Sequence, residues 1–144
     1  NEQLRRKQGM AGDLGNLGLI KQKRGNLDEA ENYHQRSLAI MEQLGHKAGM
    51  AITLGNLGLI EQTRGNLDEA ESYHTRALAI DEQLEDKNGM ARELGSLGII
   101  ELTRGNLKAA CGLWRRSLDL FREVGAQPQV EMVRSWLAQN GCDP

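Results

Sequence analysis

Apolar residues recur along this chain at helical spacing, and the pattern itself recurs every 40 residues. Met10, Leu14, Leu17, Leu19 and Ile20 follow the interval that places side chains on one face of a helix. Gly25 interrupts the run. Leu27, Ala30, Tyr33, His34, Leu38, Ile40 and Leu44 then resume it until Gly45. This predicts a helix A over about residues 8–24 and a helix B ending near residue 44, each closed by a glycine that tolerates positive φ. Asn26, with Glu29 three residues later, has the spacing of a capping box and is expected to cap helix B.

Residues 50–89 match residues 10–49 at 29 of 40 positions, and 90–129 form a looser copy. A fixed period of this length is the signature of stacked supersecondary units. The expected organisation is repeats over 10–49, 50–89 and 90–126, then a C-terminal capping helix and tail over 127–144, with Pro128 suited to a first helical turn. Asp86 stands where it can cap the third A helix. Glu2, Gln3 and Leu4 recur as Glu42–Leu44 and Glu82–Leu84, so residues 1–9 read as the end of a preceding repeat helix. The chain also lacks an initiating methionine, so a fragment of a larger array with an exposed apolar end is expected. With no strand signal, the fold class is all-α: a right-handed superhelical solenoid of antiparallel helix hairpins, each burying its apolar face on its neighbour.

Aromatics are 3% of residues, so the core must be aliphatic, and most of the seventeen glycines fall at fixed places in the repeat. A net charge of −2 gives no basic surplus for nucleic acid and no polybasic membrane segment. No apolar run approaches the ~20 residues of a membrane span. Cys111 and Cys142 lack metal-type spacing and are expected as unpaired thiols of a reducing compartment, which points to the cytoplasm. Cys111 is expected to be buried or half-buried. The glycines of Gly15–Gly18 are too close together, and follow no strand, to cradle phosphate. No Ser/His/Asp or Cys/His set stands outside the repeat pattern. The chain is expected to be no enzyme and to hold no cofactor and no metal. His34 and His74 share a face of successive B helices but converge with no Cys or carboxylate, so they read as core histidines.

LGNLGLI followed by RGNLDEAE, then Tyr33–His34 and Leu38–Ile40, resembles the tetratricopeptide repeat. The resemblance covers residues 1–140 and is similar to the longer variety found in kinesin light chains, spindle-orientation G-protein modulators and many bacterial repeat proteins. It implies close helix approach at Gly18–Ala30, Gly58–Ala70 and Gly98–Ala110, with larger packing positions at Leu14, Leu17, Leu54, Leu57, Leu94 and Leu97. Two positions depart from the family pattern. Lys21, Glu61 and Glu101 replace an aromatic late in helix A, where the site is either more exposed or paired across repeats. His34 and His74 stand where a large aromatic is usual, which Trp114 restores.

The resemblance also implies a concave groove lined by the A helices. Its rows would be Asn16, Asn56 and Ser96; Leu19, Leu59 and Ile99; Gln22, Gln62 and Leu102. Lys23, Thr63 and Thr103 would form the edge, with Arg92 on the rim beside Ile52. Asn16, Leu19 and Lys23 are three and four residues apart and share one helix face. Asn is disfavoured inside helices, so its recurrence needs a reason. Its amide both donates and accepts, which suits the backbone of an extended ligand. Gly15, Gly55 and Gly95 stand where some family members place a clamp lysine for chaperone tails, so that ligand is not expected. Tyr33 and Tyr73 read as packing residues with exposed hydroxyls, and Trp136, in line with the Asn row, as a cap on the core. The expected function is a non-catalytic scaffold binding a partner peptide or helix in this groove. The alternatives are a structural module self-associating through its exposed N-terminal repeat end, or a regulatory segment of a multidomain bacterial signalling protein. Neither nucleic acid nor membrane is an expected partner.

Overall fold

The glycine-punctuated pattern becomes a series of antiparallel helices. A computed structural model describes residues 1–143, and among them seven helices and no strand. They are α1 (Glu2–Lys23), α2 (Leu27–Leu44), α3 (Lys47–Arg64), α4 (Leu67–Gln83), α5 (Lys87–Thr103), α6 (Leu107–Val124) and α7 (Gln127–Gln139). Gly25, Gly45, Gly65, Gly105 and Gly125 take positive φ at the helix ends, and Glu85 takes φ 55° where the second repeat lacks that glycine. The chain forms two compact units, residues 1–80 and 81–144.

In the first unit α1 pairs with α2, and α2 packs against α3. Leu38, Leu54, Leu57 and Ala77 form its core, with Met50, Tyr73 and Ile80 against them. The Ser37 hydroxyl donates to the Ala11 carbonyl at 2.9 Å and ties α2 to α1. In the second unit α5 pairs with α6 and α6 with α7. Its core joins Ala91, Ala110, Trp114, Leu118, Phe121, Val130, Val133 and Leu137. Ser117 donates to the Ala91 carbonyl at 2.8 Å, the same tie 80 residues on.

Four expectations are corrected. Residues 2–9 are not the end of a separate helix but the first turns of α1, which Asn1 caps by accepting from the Gln3 and Leu4 amides. Arg5 and Arg6 stand where Gly45 and His46 separate α2 from α3, so neither a positive-φ residue nor a cap interrupts the backbone. The Asn26 side chain makes no capping bond; Glu29 turns instead to Lys21, at 2.9 Å. Besides Asn1, side chains that do cap helices are His46 and Asp86, whose Nδ1 and Oδ1 accept from the Gly49 and Gly89 amides. Leu17 is no packing residue among the described residues: it is 41% exposed, whereas Leu57 at the same repeat position is 1% exposed, because α2 lies against α3. Finally, Cys111 and Cys142 are not free thiols. They form a disulfide with Cα atoms 5.7 Å apart, joining α6 to the segment after α7, so the compartment inferred from free thiols loses its basis.

Candidate protein-binding face

Each unit carries its own A-helix face. In the first, Asn16, Leu19 and Lys23 are exposed along α1; Asn56 and Leu59 hold the positions of Asn16 and Leu19 on α3, with Asn56 half-buried, and exposed Ile52 stands one turn before them. Ile52 is 54% and Leu59 41% exposed, although neighbouring Leu54, Leu57 and Ile60 are fully buried. The face is therefore an apolar and amide stripe outside the core. Among the described residues, neither Asn16 nor Asn56 makes a side-chain hydrogen bond, and Lys23 makes no ion pair. Gly15 leaves the backbone open, with only the Ser37 hydroxyl within 4 Å of where its Cβ would stand.

Gln22 and Gln62, expected on the same face, also bond inward to the core. Gln22 Oε1 lies 3.2 Å from His34 Nε2, and Gln62 Oε1 lies 2.6 Å from His74 Nε2. Both histidines are buried, as a core reading requires, and each ring fills the space opposite a glycine, Gly18 or Gly58. Burial holds the His34 imidazole below its ordinary range. The two glutamines satisfy core groups and are only half-buried at the groove. The signal was present in the sequence: where Trp114 replaces the histidine, Leu102 replaces the glutamine.

The departure at Glu61 is resolved within the first unit. Glu61 is buried, and Arg64 Nη1 reaches its Oε1 at 2.8 Å while also holding Glu31 of α2 at 3.1 Å; Nη2 holds Asp28 at 2.5 Å. Asn66 Nδ2 donates to Glu61 Oε2 at 2.7 Å. Burial raises the Glu61 pKa, but the hydrogen bonds from Asn66 and Arg64 outweigh it and hold the carboxyl below the usual range. The charges thus pair across the α2–α3 junction.

In the second unit Arg92 is exposed and Ser96 half-buried on α5. Ile99 and Leu102 pack on the core together with Trp136, so less of their row is open. Trp136 stands 5.7 Å from Trp114 between ring centroids and lies against Gly95, which caps the core as expected. A cleft of about 440 Å³ lies elsewhere, between Arg64 and the turn of Gly25–Glu29, and is lined by the ion-pair residues rather than by the A-helix face. Among the described residues no three His, Cys, Asp or Glu side chains are placed to hold a metal ion, and no helix is long and apolar enough to cross a membrane.

Hairpins of short antiparallel helices, with a small residue at each close approach, define an all-α helical-repeat protein. The tetratricopeptide-repeat family profile matches residues 12–83, half of the chain, and the chain belongs to that family. No curated protein matches in sequence. Among solved structures, the TPR domain of Arabidopsis FLU superposes with a TM-score of 0.76 at 18% identity, covering 81% of this chain and 98% of that one. BtubC (BKLC) from P. vanneervenii gives 0.69 at 18% identity, covering 93% of this chain and 66% of its own length. The N-terminal domain of stress-induced protein-1 from C. elegans gives 0.68 at 15% identity, covering 89% and 97%. At these identities the likeness is one of fold. Tetratricopeptide arrays as a class mediate protein–protein interaction and are generally non-catalytic.

Proposed function

We propose that this chain is a non-catalytic interaction module that binds a partner peptide or helix along the A-helix face. One observation carries the reading: Asn16 and Asn56 recur inside helices that disfavour Asn, and their side chains make no hydrogen bond among the described residues. Their amides donate to and accept from the ligand backbone, while Leu19, Leu59 and Ile52 take its apolar side chains. Lys23 gives the edge a positive charge that favours a ligand carboxylate there. In the second unit Arg92 and Ser96 are the contacts of the same type. Gln22 and Gln62 contribute by fixing His34 and His74 behind the face, and meet ligand only with their half-exposed edges.

The test is a peptide selected by display against the whole chain. The double variant Asn16→Ala with Asn56→Ala is expected to weaken it about tenfold, the loss of one or two hydrogen bonds, without lowering the melting temperature. A double variant that unfolds instead would show the amides to be structural and sink the reading.

A further inference from the structure

Cys111 stands where the first two repeats have Glu31 and Glu71, so the repeat pattern does not ask for a cysteine there. Its bond to Cys142 joins two unequally placed residues. Cys111 is 6% exposed, whereas Cys142 is half-buried and lines a cleft of about 200 Å³ with Leu118, Leu137, Ala138 and Arg134. The wall is therefore apolar with one cation. Arg134 pairs with Glu131 only at 3.6 Å on the surface of α7, and both side chains are more than half exposed, at 56% and 61%. Lys108 and Arg115, three residues before and four after Cys111, are exposed on its side of α6. Arg115 Nε donates to the Asp143 carbonyl at 2.7 Å, beside Cys142. These three cations outnumber Glu131 and Asp143.

We propose that Cys111–Cys142 is a thiol-exchange site whose substrate is a small thiol carrying a carboxylate. The substrate enters as a thiolate, the form that is nucleophilic, and attacks Sγ of the more accessible Cys142. A bond forms between those two sulfurs and the Cys111–Cys142 bond breaks. Cys111 leaves as a thiolate and takes a proton from water. The carbon chain of the mixed disulfide lies along Leu118, Leu137 and Ala138, with its carboxylate toward Arg134. A second thiolate attacks the substrate's sulfur, releases the small disulfide and leaves Cys142 as a thiolate, which is also protonated. The protein gains two electrons and two protons, and two small thiols become one disulfide.

The oxidised full chain is treated with mercaptopropionate, mercaptoethanol or cysteamine, which are anionic, neutral and cationic thiols. Samples are quenched with acid, free thiols are alkylated, and the products are mapped by mass spectrometry. The trapped intermediate is expected to carry the substrate on Cys142 and the alkyl group on Cys111. Rates per thiolate, corrected for thiol basicity, are expected to fall about threefold from the anionic to the neutral thiol and again to the cationic one. Salt should flatten that order. Arg134→Gln should remove most of it and Glu131→Gln should widen it, and circular dichroism checks that both variants keep the fold. The proposal is overturned by an adduct on Cys111, or by corrected rates that are equal for the three thiols. Reduction that levels off at one rate for all three means that unfolding gates the bridge, and overturns it equally.

Discussion

His34 lies across Gly18 so closely that a Cβ on that glycine would stand 2.7 Å from the ring's Cε1, and His74 meets Gly58 in the same way at 2.6 Å from Nε2. Both rings are buried and held by a glutamine, so neither can swing aside cheaply. Gly18→Ala and Gly58→Ala are therefore expected to destabilise by about 1–3 kcal/mol through overpacking, despite the better helix propensity of Ala. Gly12→Ala, where nothing stands within 4 Å, is the control and stabilises or is neutral. Urea denaturation of the three variants reads the difference.

Stability should respond to pH in opposite senses at two buried groups. Burial lowers the folded pKa of His34. The unfolded chain then binds the extra proton, so its contribution is complete above about 6.5 and is lost as pH falls below that value. Asp81 is buried against Gly89, and burial, then Asp86 and Glu93, push its pKa up to about 6 against the pull of Arg92. Its contribution is present below the ordinary value of 3.8 and is lost as pH rises through about 6. Met41 fills the equivalent place against Gly49. Asp81→Met is expected to stabilise at pH 7.5 by about 1–2 kcal/mol, with the gain shrinking toward pH 4. His34→Phe should flatten the loss between pH 6.5 and 5. Chemical denaturation across pH checks both.

Arg64 serves three carboxylates, and the buried one, Glu61, depends on it most. Arg64→Met leaves that carboxylate with Asn66 alone and is expected to cost about 2–3 kcal/mol at pH 7. Adding Glu61→Leu should recover much of the loss, since an apolar pair of similar volume replaces a charge that had to be compensated. A double-mutant cycle by thermal unfolding measures the coupling, and additive losses would speak against the network.

The disulfide closes a loop that contains all of α7. Reduction of Cys111–Cys142 is expected to lower stability by roughly 2–4 kcal/mol through the freed unfolded chain. Val130, Val133 and Leu137 still hold α7 to the core, so reduced protein should retain its helical circular dichroism at 20 °C-type ambient conditions while melting earlier. Melting with and without a phosphine reductant, beside Cys142→Ser, separates the bridge from general reductant effects.

Much of this fold is readable from spacing alone, because a helical hairpin is local: Leu54, Leu57, Ala70 and the glycine at each end mark one face and two stops within about 40 residues. What spacing hides is side-chain direction. Asn26 precedes a helix and looks like a cap, yet the equivalent Asn66 and Asn106 turn their amides back to Glu61 and Glu101. Cys111 and Cys142 meet only after α7 has folded back on α6, a closeness no local period reports. On the A-helix face, the exposure of Asn16, Leu19, Lys23 and Leu59 follows their periodicity. Gln22 and Gln62 escape it, since their task is set by a histidine 12 residues away, and only comparison of the three repeats reveals the pairing.

The central claim is that the A-helix stripe receives the partner, and amide chemical-shift mapping of a display-selected peptide on the full chain tests it most directly. The account predicts perturbations concentrated at Asn16, Leu19, Lys23, Ile52, Asn56 and Leu59, with affinity reduced by Asn16→Ala and Asn56→Ala at unchanged melting temperature. Perturbations gathered instead on the exposed residues of α2 and α4, such as Arg36 and Arg76, with affinity indifferent to the two asparagines, would contradict it.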